Sequence, residues 1–464
     1  MTACLPRLRP RRYEDLIAAV ALIRPGPLQG NATHPFLRRR QGLEPVRYPG
    51  GEAGRRLLEP TLGETLGVCL YQDQVIAIGV ACGLDADEAA ELRRAMSSAR
   101  SAERMAALRG RLEEGLAAHG LDAAGRAEVL DTVAAFAGYG FVKGHAAAFA
   151  YLAYVSAWFK LYHPAAFCAA LLDMQPMGFY PAATLVQDAE RHGVRVLPVD
   201  VRHSRADCAI EAGALRLGLR LVRGLGAEAC ARLEETLSPA PPADLTNLRM
   251  QARLEEDEAR ALARSGALRG YIPDRRQALW TAPLVARAAR ERWLPRLREA
   301  VDPPVALPRA AEREDLALEQ AALGLTPGRH VLAPLRADLA HRPLRRSGDL
   351  AGLPAGTRVE VVGQVISRQR PSTARGVFFL GLSDEWGLLN VVVPPEVYAR
   401  DRRVARGEAL VWVAGTVERR SGAATVRAEH LRPLTAVLVG APDAADAADA
   451  VSPCDPRAVS GATT

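Results

Sequence analysis

The chain has 464 residues, and with 49% hydrophobic and 24% charged residues its composition is that of an ordinary globular protein. This composition excludes collagen-like, coiled-coil and largely disordered proteins, and the length predicts about three or four domains. The 60 basic residues exceed the 53 acidic ones, and the net charge of +7 favours a polyanionic partner.

All basic residues except Lys143 and Lys160 are arginines, whose guanidinium groups suit bidentate phosphate contacts. A GC-rich genome would produce the same bias. The 7 cysteines have no C-x-x-C spacing, so they indicate neither a zinc site nor a disulfide framework and fit a reducing cytoplasm. The longest apolar run, 146–159, is short for a bilayer span, and no secretory signal is visible, so no membrane association is expected.

The first predicted domain, residues 1–174, has apolar side chains at the three- and four-residue spacing of helices. Long helices are predicted over 145–162 and 165–172. The second predicted domain, 175–270, has shorter mixed elements. Residues 271–350 are rich in Arg, Ala and Pro and are predicted to be connecting structure.

The apolar spacing changes to two from Thr357 onward, which is typical of strands. The predicted strands are 358–370, 376–384, 388–393, 409–420 and 424–431. Five short strands predict a small barrel of the OB type, over residues 351–435. The tail, 436–464, has repeated Asp and Ala and is predicted to be disordered.

Asp85 is predicted to cap a helix, because an acidic residue, Glu88, follows three positions later. Asp85 and Asp87 could also be paired metal-binding carboxylates, but at a helix start they point to backbone N–H groups, which favours capping. The same helix carries Arg93 and Arg94. Adjacent helical residues point about 100° apart, so by pattern alone this pair is a charged helix face.

A glycine-rich turn, GYGFVKGH over 138–145, leads directly into a helix. Free N–H groups at a helix start bind anions, and Lys143 and His145 add side-chain donors there. The turn is therefore a candidate phosphate site. A simple turn between helices with a capping histidine is the alternative.

The segment LRLVRGLGAEACARL, 219–233, fits a helix-hairpin-helix motif with Gly224-Leu225-Gly226 as the hairpin. Glycines let phosphate oxygens approach the hairpin N–H groups, which gives DNA contacts independent of base sequence. Arg223 adds a cation beside them. The alternative is a plain Gly-x-Gly turn between two helices.

Arginines and aromatic residues cluster in the predicted barrel, as in OB folds that hold single-stranded nucleic acid. They are Arg368, Arg370, Arg375, Phe378, Phe379, Trp386 and Trp412. Some of these rings must fill the barrel core, so one or two at most are expected to stack on bases. The predicted fold class is α+β and multidomain: a mostly helical first region, a helix-hairpin-helix domain and a C-terminal OB-type β-barrel.

Five motifs, in order, resemble the fingers region of bacterial DNA polymerase III alpha subunits. They are YEDLIAAVALIRPGPLQG (13–30), GVCLYQDQV (67–75), AAELRRAM (89–96), FAGYGFVKGHAAAFAYLAY (136–154) and HPAAFCAALL (163–172). Segments 178–201 and 368–393 look most like the error-prone branch of that family. The resemblance covers about residues 7–434.

The resemblance implies template-directed DNA synthesis during damage tolerance, by fingers that bind the incoming deoxynucleotide. By position, Arg93 and Arg94 match paired arginines near the triphosphate, and Tyr139, Lys143 and His145 match nucleotide contacts of the glycine turn. The glycine hairpin matches one that grips the DNA backbone, and the barrel matches a template-strand module.

The family places a PHP domain and a palm with three metal-binding aspartates before the RPGP motif, which here occupies 24–27. The complete enzyme is expected to need Mg²⁺, but no catalytic or metal-binding residue is expected in this chain. By itself the chain is therefore expected to be inactive. Asp73 stands where the family usually has Glu.

The sequence is thus interpreted as the C-terminal portion of a cytoplasmic error-prone DNA polymerase, a nucleotidyltransferase whose partners are DNA and deoxynucleoside triphosphates. Further expected partners are a separate PHP–palm polypeptide and a Y-family-like accessory protein, through which the sliding clamp is reached. QALW, 277–280, matches only part of a clamp-binding peptide. The alternative is a non-catalytic DNA-binding or scaffold protein derived from the polymerase.

Overall fold

The computed structural model describes residues 5–22, 35–97, 102–136, 141–178, 180–238, 240–290, 305, 307–371, 374–420 and 423–438. The chain divides into two compact units, Met1–Trp158 and Phe159–Thr464. Each unit has hydrophobic cores of its own. Each can therefore bury apolar surface by itself.

The first unit is helical. Its helices are α1 (Leu5–Leu8), α2 (Tyr13–Leu22), α3 (Pro35–Arg40), α4 (Gly51–Leu62), α5 (Gln72–Ala81), α6 (Ala86–Ser97), α7 (Ala102–Ala118), α8 (Ala123–Phe136) and α9 (Lys143–Tyr162), which runs on into the second unit. The helix predicted over 145–162 is thus confirmed, with a start two residues earlier. No helix in the described ranges, α9 included, is both long enough and apolar enough to cross a bilayer.

The helix start predicted at Asp85 is confirmed. The Asp85 side chain accepts the Glu88 N–H at 2.8 Å, and the Glu88 side chain accepts the Asp85 N–H at 3.0 Å. This capping box satisfies N–H groups that the first turn of α6 leaves without helical partners. Both carboxylates therefore take part in the cap of α6, and that of Glu88 also accepts a hydrogen bond from Arg111 at 2.7 Å.

Two apolar clusters form the core of the first unit. One joins α4 to α8 around Leu58, Ile78 and Leu92, which are at most 1% exposed. The other joins α1, α2 and α3 to the first turns of α9, where Ala146 and Ala150 are fully buried. The beginning of α9 is therefore fixed to this unit by close packing of small side chains.

The second unit begins with a helical region that contains a small sheet. Its helices are α10 (Pro164–Asp173), α11 (Ala182–Arg191), α12 (Ala227–Thr236), α13 (Leu245–Ala252), α14 (Glu256–Ser265), α15 (Arg275–Arg290) and α16 (Glu312–Leu323). The sheet has the order β1 (Val196–Leu197), β3 (Ala214–Arg216), β2 (Ala209–Glu211). Within 271–350, the predicted connecting structure, α16 places Ala322 and Leu323 in the same core as α10 to α14.

A buried ion pair attaches α16 to this core. Arg275, at the start of α15, has a fully buried side chain, and its Nε and Nη2 lie 3.1 Å from carboxylate oxygens of Asp315 and Glu319 on α16. Burial lowers the pKa of Arg275 and raises the pKa of Glu319, and each charge opposes the shift of the other. The cost of burying each charge is therefore offset by the other, and Asp315 contributes further at Arg275.

The C-terminal part of the second unit is a closed five-stranded barrel. Its strands are β4 (Arg358–Gln369), β5 (Phe378–Ser383), β6 (Leu388–Val393), β7 (Leu410–Arg420) and β8 (Ala423–Pro433), in the order β4-β5-β6-β8-β7. The short helices α17 (Pro395–Arg400) and α18 (Arg402–Gly407) lie between β6 and β7, and α19 (Leu434–Leu438) follows β8. The predicted OB-type barrel is confirmed.

Polar contacts join the barrel to the helical region of its unit. The Ser383 hydroxyl, at the end of β5, donates to the Gln187 side chain on α11 at 2.7 Å. The next two residues are also engaged: Asp384 accepts the Ser347 N–H at 2.7 Å, and Glu385 forms two hydrogen bonds with Arg336. The turn after β5 is therefore bound both to α11 and to the segment that precedes the barrel.

His330 is a buried titratable group beside this turn. Its Nδ1 accepts the Leu332 N–H at 3.2 Å, while its Nε2 has no hydrogen-bond partner within the described part of the chain. Burial lowers the pKa of His330, an effect opposed by the charges of Glu385 and Asp384 and reinforced by those of Arg336 and Arg191. The folded protein therefore favours the neutral ring.

Replacement of Arg275 should destabilise the second unit strongly. Arg275→Ala leaves Glu319 buried without its counter-charge, which costs about 3–5 kcal/mol. Chemical denaturation measures this loss. Arg260→Ala, which removes an exposed pair with Glu256 on α14, is the matched control and should have little effect. Equal effects of the two substitutions would contradict the account of the buried pair.

The stability of the second unit should fall on mild acidification because of His330. Its folded pKa lies below the ordinary value of 6.5, so stability present above that pH is lost as the unfolded chain takes up the proton. Denaturation midpoints at about pH 7 and about pH 5 should differ less for His330→Phe than for the wild type. The exposed His341→Gln is the control. An unchanged pH dependence in His330→Phe would refute the assignment.

Candidate functional site

The start of α9 is joined to the start of α5. The Gln72 N–H donates to the Phe141 carbonyl at 2.9 Å, and Tyr71 and Phe141 form an isolated parallel bridge. Asp73 then accepts the Lys143 N–H at 2.8 Å. Asp73 thus supplies an acceptor for a first-turn N–H group of α9, where a negative charge is also favoured by the helix dipole.

The Lys143 side chain contacts Glu64 and Tyr71, which precede α5 in the chain. Its Nζ is 2.8 Å from both carboxylate oxygens of Glu64, and it lies 5.6 Å from the centroid of the buried Tyr71 ring. Both partners of the ion pair are about 40% exposed. Exposed ion pairs contribute little to stability, so this cation can exchange Glu64 for another anion at small cost.

The predicted nucleotide-binding residues are only partly described. The His145 ring packs between Phe141 and Phe149, and its centroid lies 5.4 and 4.6 Å from theirs. Lys143 instead contacts Glu64 and Tyr71. Arg93 and Arg94 lie on α6, and their side chains are outside the described structure. Tyr139 lies outside the described residues as well. Whether these five residues form one site therefore stays a prediction.

Helix α5 supports both parts of this candidate site. Its first residues bind the start of α9, as described above. Near its other end, a Cβ built on Gly79 would lie 3.4 Å from Leu92 on α6 and 3.1 Å from Leu84. The absence of a side chain at Gly79 thus permits close packing of α5 on α6. The start of α9 and helix α6, which carry the predicted nucleotide-binding residues, are consequently both packed on α5.

Gln74 and Glu64 were not identified from the sequence. The buried Gln74 amide donates to the Thr65 hydroxyl at 2.8 Å, and its oxygen accepts the N–H groups of Leu70 and Tyr71 at 2.8 and 3.0 Å. It therefore fixes the turn that carries Glu64 relative to α5. A glutamine inside the apolar motif GVCLYQDQV was the only signal that could have pointed to this role.

The glycine hairpin lies in the helical region of the second unit. Gly224 has a left-handed backbone with φ +88°, and Gly226 immediately precedes α12. Cys230 and Leu233 of α12 are buried, as predicted, but the residues before the hairpin form a single 3-10 turn, Leu219–Leu221. Within the described chain neither glycine N–H group donates to a backbone carbonyl, so both are available to a ligand.

Two of the predicted DNA-binding arginines hold backbone carbonyls. Arg223 donates to the Ala321 carbonyl of α16 at 3.1 Å. Arg368 donates to the carbonyls of Ala405 and Glu408, at 3.1 and 2.6 Å, at the end of α18. Arginines that bind the last carbonyls of a helix stabilise its end. These two side chains therefore already have a structural role.

Arg370 and Arg375 leave more of their charge accessible. Arg370 follows β4, is exposed, and lies 4.9 Å from the centroid of the Tyr398 ring. Arg375 is also exposed and has a left-handed backbone with φ +49° in the connection between β4 and β5. In OB folds this first connection contributes to nucleic-acid binding. These two arginines fit a basic rim on the barrel.

The barrel aromatics divide into core and surface residues. Phe378 is buried and stacks on Tyr398, with centroids 4.7 Å apart, and Trp412 is buried with its Nε1 donating to Glu360 at 2.9 Å. Trp386, after β5, is 41% exposed. The guanidinium groups of Arg336 and Arg346 lie 5.0 and 4.3 Å from its ring centroid. Trp386 is thus an oriented surface ring.

The described residues do not fit a Mg²⁺ centre. No group of three or more His, Cys, Asp or Glu side chains within the described ranges is arranged to hold a metal ion. Asp85, the first of the two carboxylates considered from the sequence, accepts a backbone hydrogen bond of the α6 cap.

Comparison with known proteins agrees with this architecture. Residues 1–120 match the bacterial DNA polymerase III alpha subunit finger domain, residues 193–278 a helix-hairpin-helix motif, and residues 359–434 an OB-fold nucleic acid binding domain. The error-prone DNA polymerase of Anaeromyxobacter sp. strain K is 43% identical over 445 residues, which are 92% of this chain and 38% of that protein. Over 92% of its length the chain is thus similar to an error-prone DNA polymerase, and its first 120 residues match the finger domain of the bacterial DNA polymerase III alpha subunit.

Other error-prone DNA polymerases give the same result. That of Corynebacterium efficiens is 46% identical over 433 residues, 93% of this chain and 39% of the relative. That of Mycobacterium tuberculosis is 44% identical over 444 residues, 95% of this chain and 40% of the relative. The chain thus spans about two fifths of the length of these curated relatives. The predicted resemblance to this family and the predicted fold class are confirmed.

Proposed function

We propose that the chain takes part in template-directed DNA synthesis by an error-prone DNA polymerase during damage tolerance. It would bind the incoming deoxynucleoside triphosphate and the primer-template DNA. The observation that carries this proposal is the identity of 42–46% to error-prone DNA polymerases over 92–95% of the chain. A cytoplasmic location is part of the proposal.

The nucleotide would bind at the start of α9. Lys143 would contact the phosphates, with Arg93 and Arg94 of α6, Tyr139 and His145 as further contacts. The common attachment of α6 and α9 to α5 supports this grouping, as does the weak hold of Glu64 on Lys143. A helix start combined with a cation suits a polyanionic phosphate chain.

The Mg²⁺ ions of the complete enzyme would be held by palm aspartates that a separate PHP–palm polypeptide contributes, so this chain alone would not extend primers. An exposed apolar face on α9 supports such a partner. Phe149, Tyr151, Leu152 and Tyr154 are 49–61% exposed, an unusual density of large apolar side chains for a helix surface.

DNA would bind through the hairpin and the barrel. The free N–H groups of Gly224 and Gly226 would contact backbone phosphates. Arg370 and Arg375 would attract the single-stranded template, on which the oriented ring of Trp386 could stack. Arg223 and Arg368, also predicted from the sequence, would have to release carbonyl oxygens to reach a phosphate.

A Y-family-like accessory protein and, through it, the sliding clamp are further proposed partners. Of the partial clamp-binding peptide, Gln277 and Trp280 both lie on α15, and Trp280 is 53% exposed. This segment is helical and exposes one aromatic side chain, which is less than a complete clamp-binding peptide would present. Recruitment through the accessory protein is therefore the version proposed.

Replacement of the open barrel arginines should weaken binding of single-stranded DNA and reduce its salt dependence. Removal of one phosphate contact should lower the magnitude of the slope of log K against log salt concentration by about 0.7. Arg370→Ala/Arg375→Ala would be compared with Arg358→Ala/Arg427→Ala, which removes two ion-paired arginines beside Thr416. Fluorescence anisotropy measures both. Equal slopes for the two double variants would contradict the proposed rim.

Loss of the Lys143 ammonium should weaken binding of deoxynucleoside triphosphates about tenfold or more, because a charge-assisted phosphate contact is removed. Lys160→Ala, which removes the only other lysine and its pair with Asp188, is the control. Equilibrium dialysis measures both. DNA binding without any triphosphate binding would favour the alternative, a non-catalytic DNA-binding protein.

A further inference from the structure

Two hydrogen-bond donors at the start of α9, the ammonium and the backbone N–H of Lys143, are each bound by a carboxylate. Glu64 contacts the Lys143 ammonium through both of its oxygens at 2.8 Å, and Asp73 accepts the Lys143 N–H at the same distance. A helix N–H group and a neighbouring ammonium are the donors that a phosphate group would use. The protein thus presents its own anions at the place proposed for the nucleotide.

The position of Glu64 is built into the fold. It lies in a 3-10 turn, Gly63–Thr65, which ends at Leu66 in a left-handed conformation with φ +56°. The buried Thr65 hydroxyl donates to the Leu62 carbonyl at 3.2 Å and accepts the Gln74 amide at 2.8 Å. The turn is therefore rigidly held next to α5, and Glu64 projects from it to Lys143 from 79 residues away.

The strength of the contact suits an exchangeable one. Both side chains are about 40% exposed, so water screens the attraction between them. The ion pair consists of one ammonium group and one carboxylate. A triphosphate brings several negative charges and can take this cation over. While it does so, the Glu64 carboxylate is left close to the phosphates, and like charges repel.

We propose that Glu64 is an internal competitor of the nucleotide: it occupies Lys143 in the nucleotide-free protein and is displaced by the triphosphate. This inference rests on the proposed nucleotide site. It makes Glu64 a residue that lowers affinity for the triphosphate and so keeps the site closed to weakly bound anions. Removal of its charge should then increase affinity, whereas loss of a residue that positions Lys143 would decrease it.

The test compares Glu64→Gln with the wild type for binding of dATP by equilibrium dialysis, using the full chain. Glu64→Gln should bind about two- to fivefold more tightly, the range that corresponds to the removal of one exposed ion-pair competitor. The gain should vanish in the Lys143→Ala background. Glu59→Gln removes the same charge from an exposed pair with Arg55 on α4 and is the matched control.

A second readout follows Lys143 itself. Because the chain has only two lysines, selective ¹³C labelling of lysine gives two sets of side-chain NMR signals, and Lys143→Ala assigns them. Glu64→Gln and addition of dATP should each shift the Lys143 signals, and dATP should do so at lower concentration in the variant. The Lys160 signals should stay in place.

Three outcomes would overturn the inference. Equal or weaker dATP binding by Glu64→Gln, with Lys143→Ala weakened, would refute the competition and leave the proposed nucleotide site intact. A gain that persists without Lys143 would show a general charge effect instead. Absence of dATP binding in every variant would refute the nucleotide site itself, and the competition with it.

Discussion

The candidate nucleotide site depends on the link between the starts of α5 and α9. Two contacts form it, from the Gln72 N–H to the Phe141 carbonyl and from the Lys143 N–H to Asp73. Because Gly79 at the other end of α5 packs against α6, the same helix determines where both predicted phosphate-binding elements lie. The buried Gln74 adds the turn that carries Glu64. One helix thus organises the donors and the carboxylate that competes for them.

The excess positive charge of the chain is a poor guide to where DNA binds, because many guanidinium groups serve the fold. Arg40 pairs with the buried Asp15, Arg275 with Glu319, and Arg336 with Glu385. Arg223 and Arg368 bind carbonyl oxygens. Exposed arginines such as Arg370 and Arg375 are the better candidates for phosphate contacts. Unlike Arg223 and Arg368, they would not have to give up a carbonyl oxygen in order to bind a phosphate.

The sequence predicts those parts of the fold whose cause is local. The predicted strand 388–393 coincides with β6, because period-two spacing is itself the signature of a strand with one buried face, and the cap at Asp85 follows from residues three apart. Contacts between distant residues leave no such pattern. The pairing of Glu64 with Lys143 and the burial of Arg275 against α16, which attaches a segment expected to be connecting structure, both required the fold.

We propose that this chain supplies the nucleotide- and template-binding part of an error-prone DNA polymerase. Primer extension with a chimera tests this proposal: the chain replaces the aligned segment of the Anaeromyxobacter relative. The chimera should extend a primed template, and Lys143→Ala should abolish this extension. A folded, DNA-binding chimera that fails to extend while the parent polymerase is active would contradict the proposal.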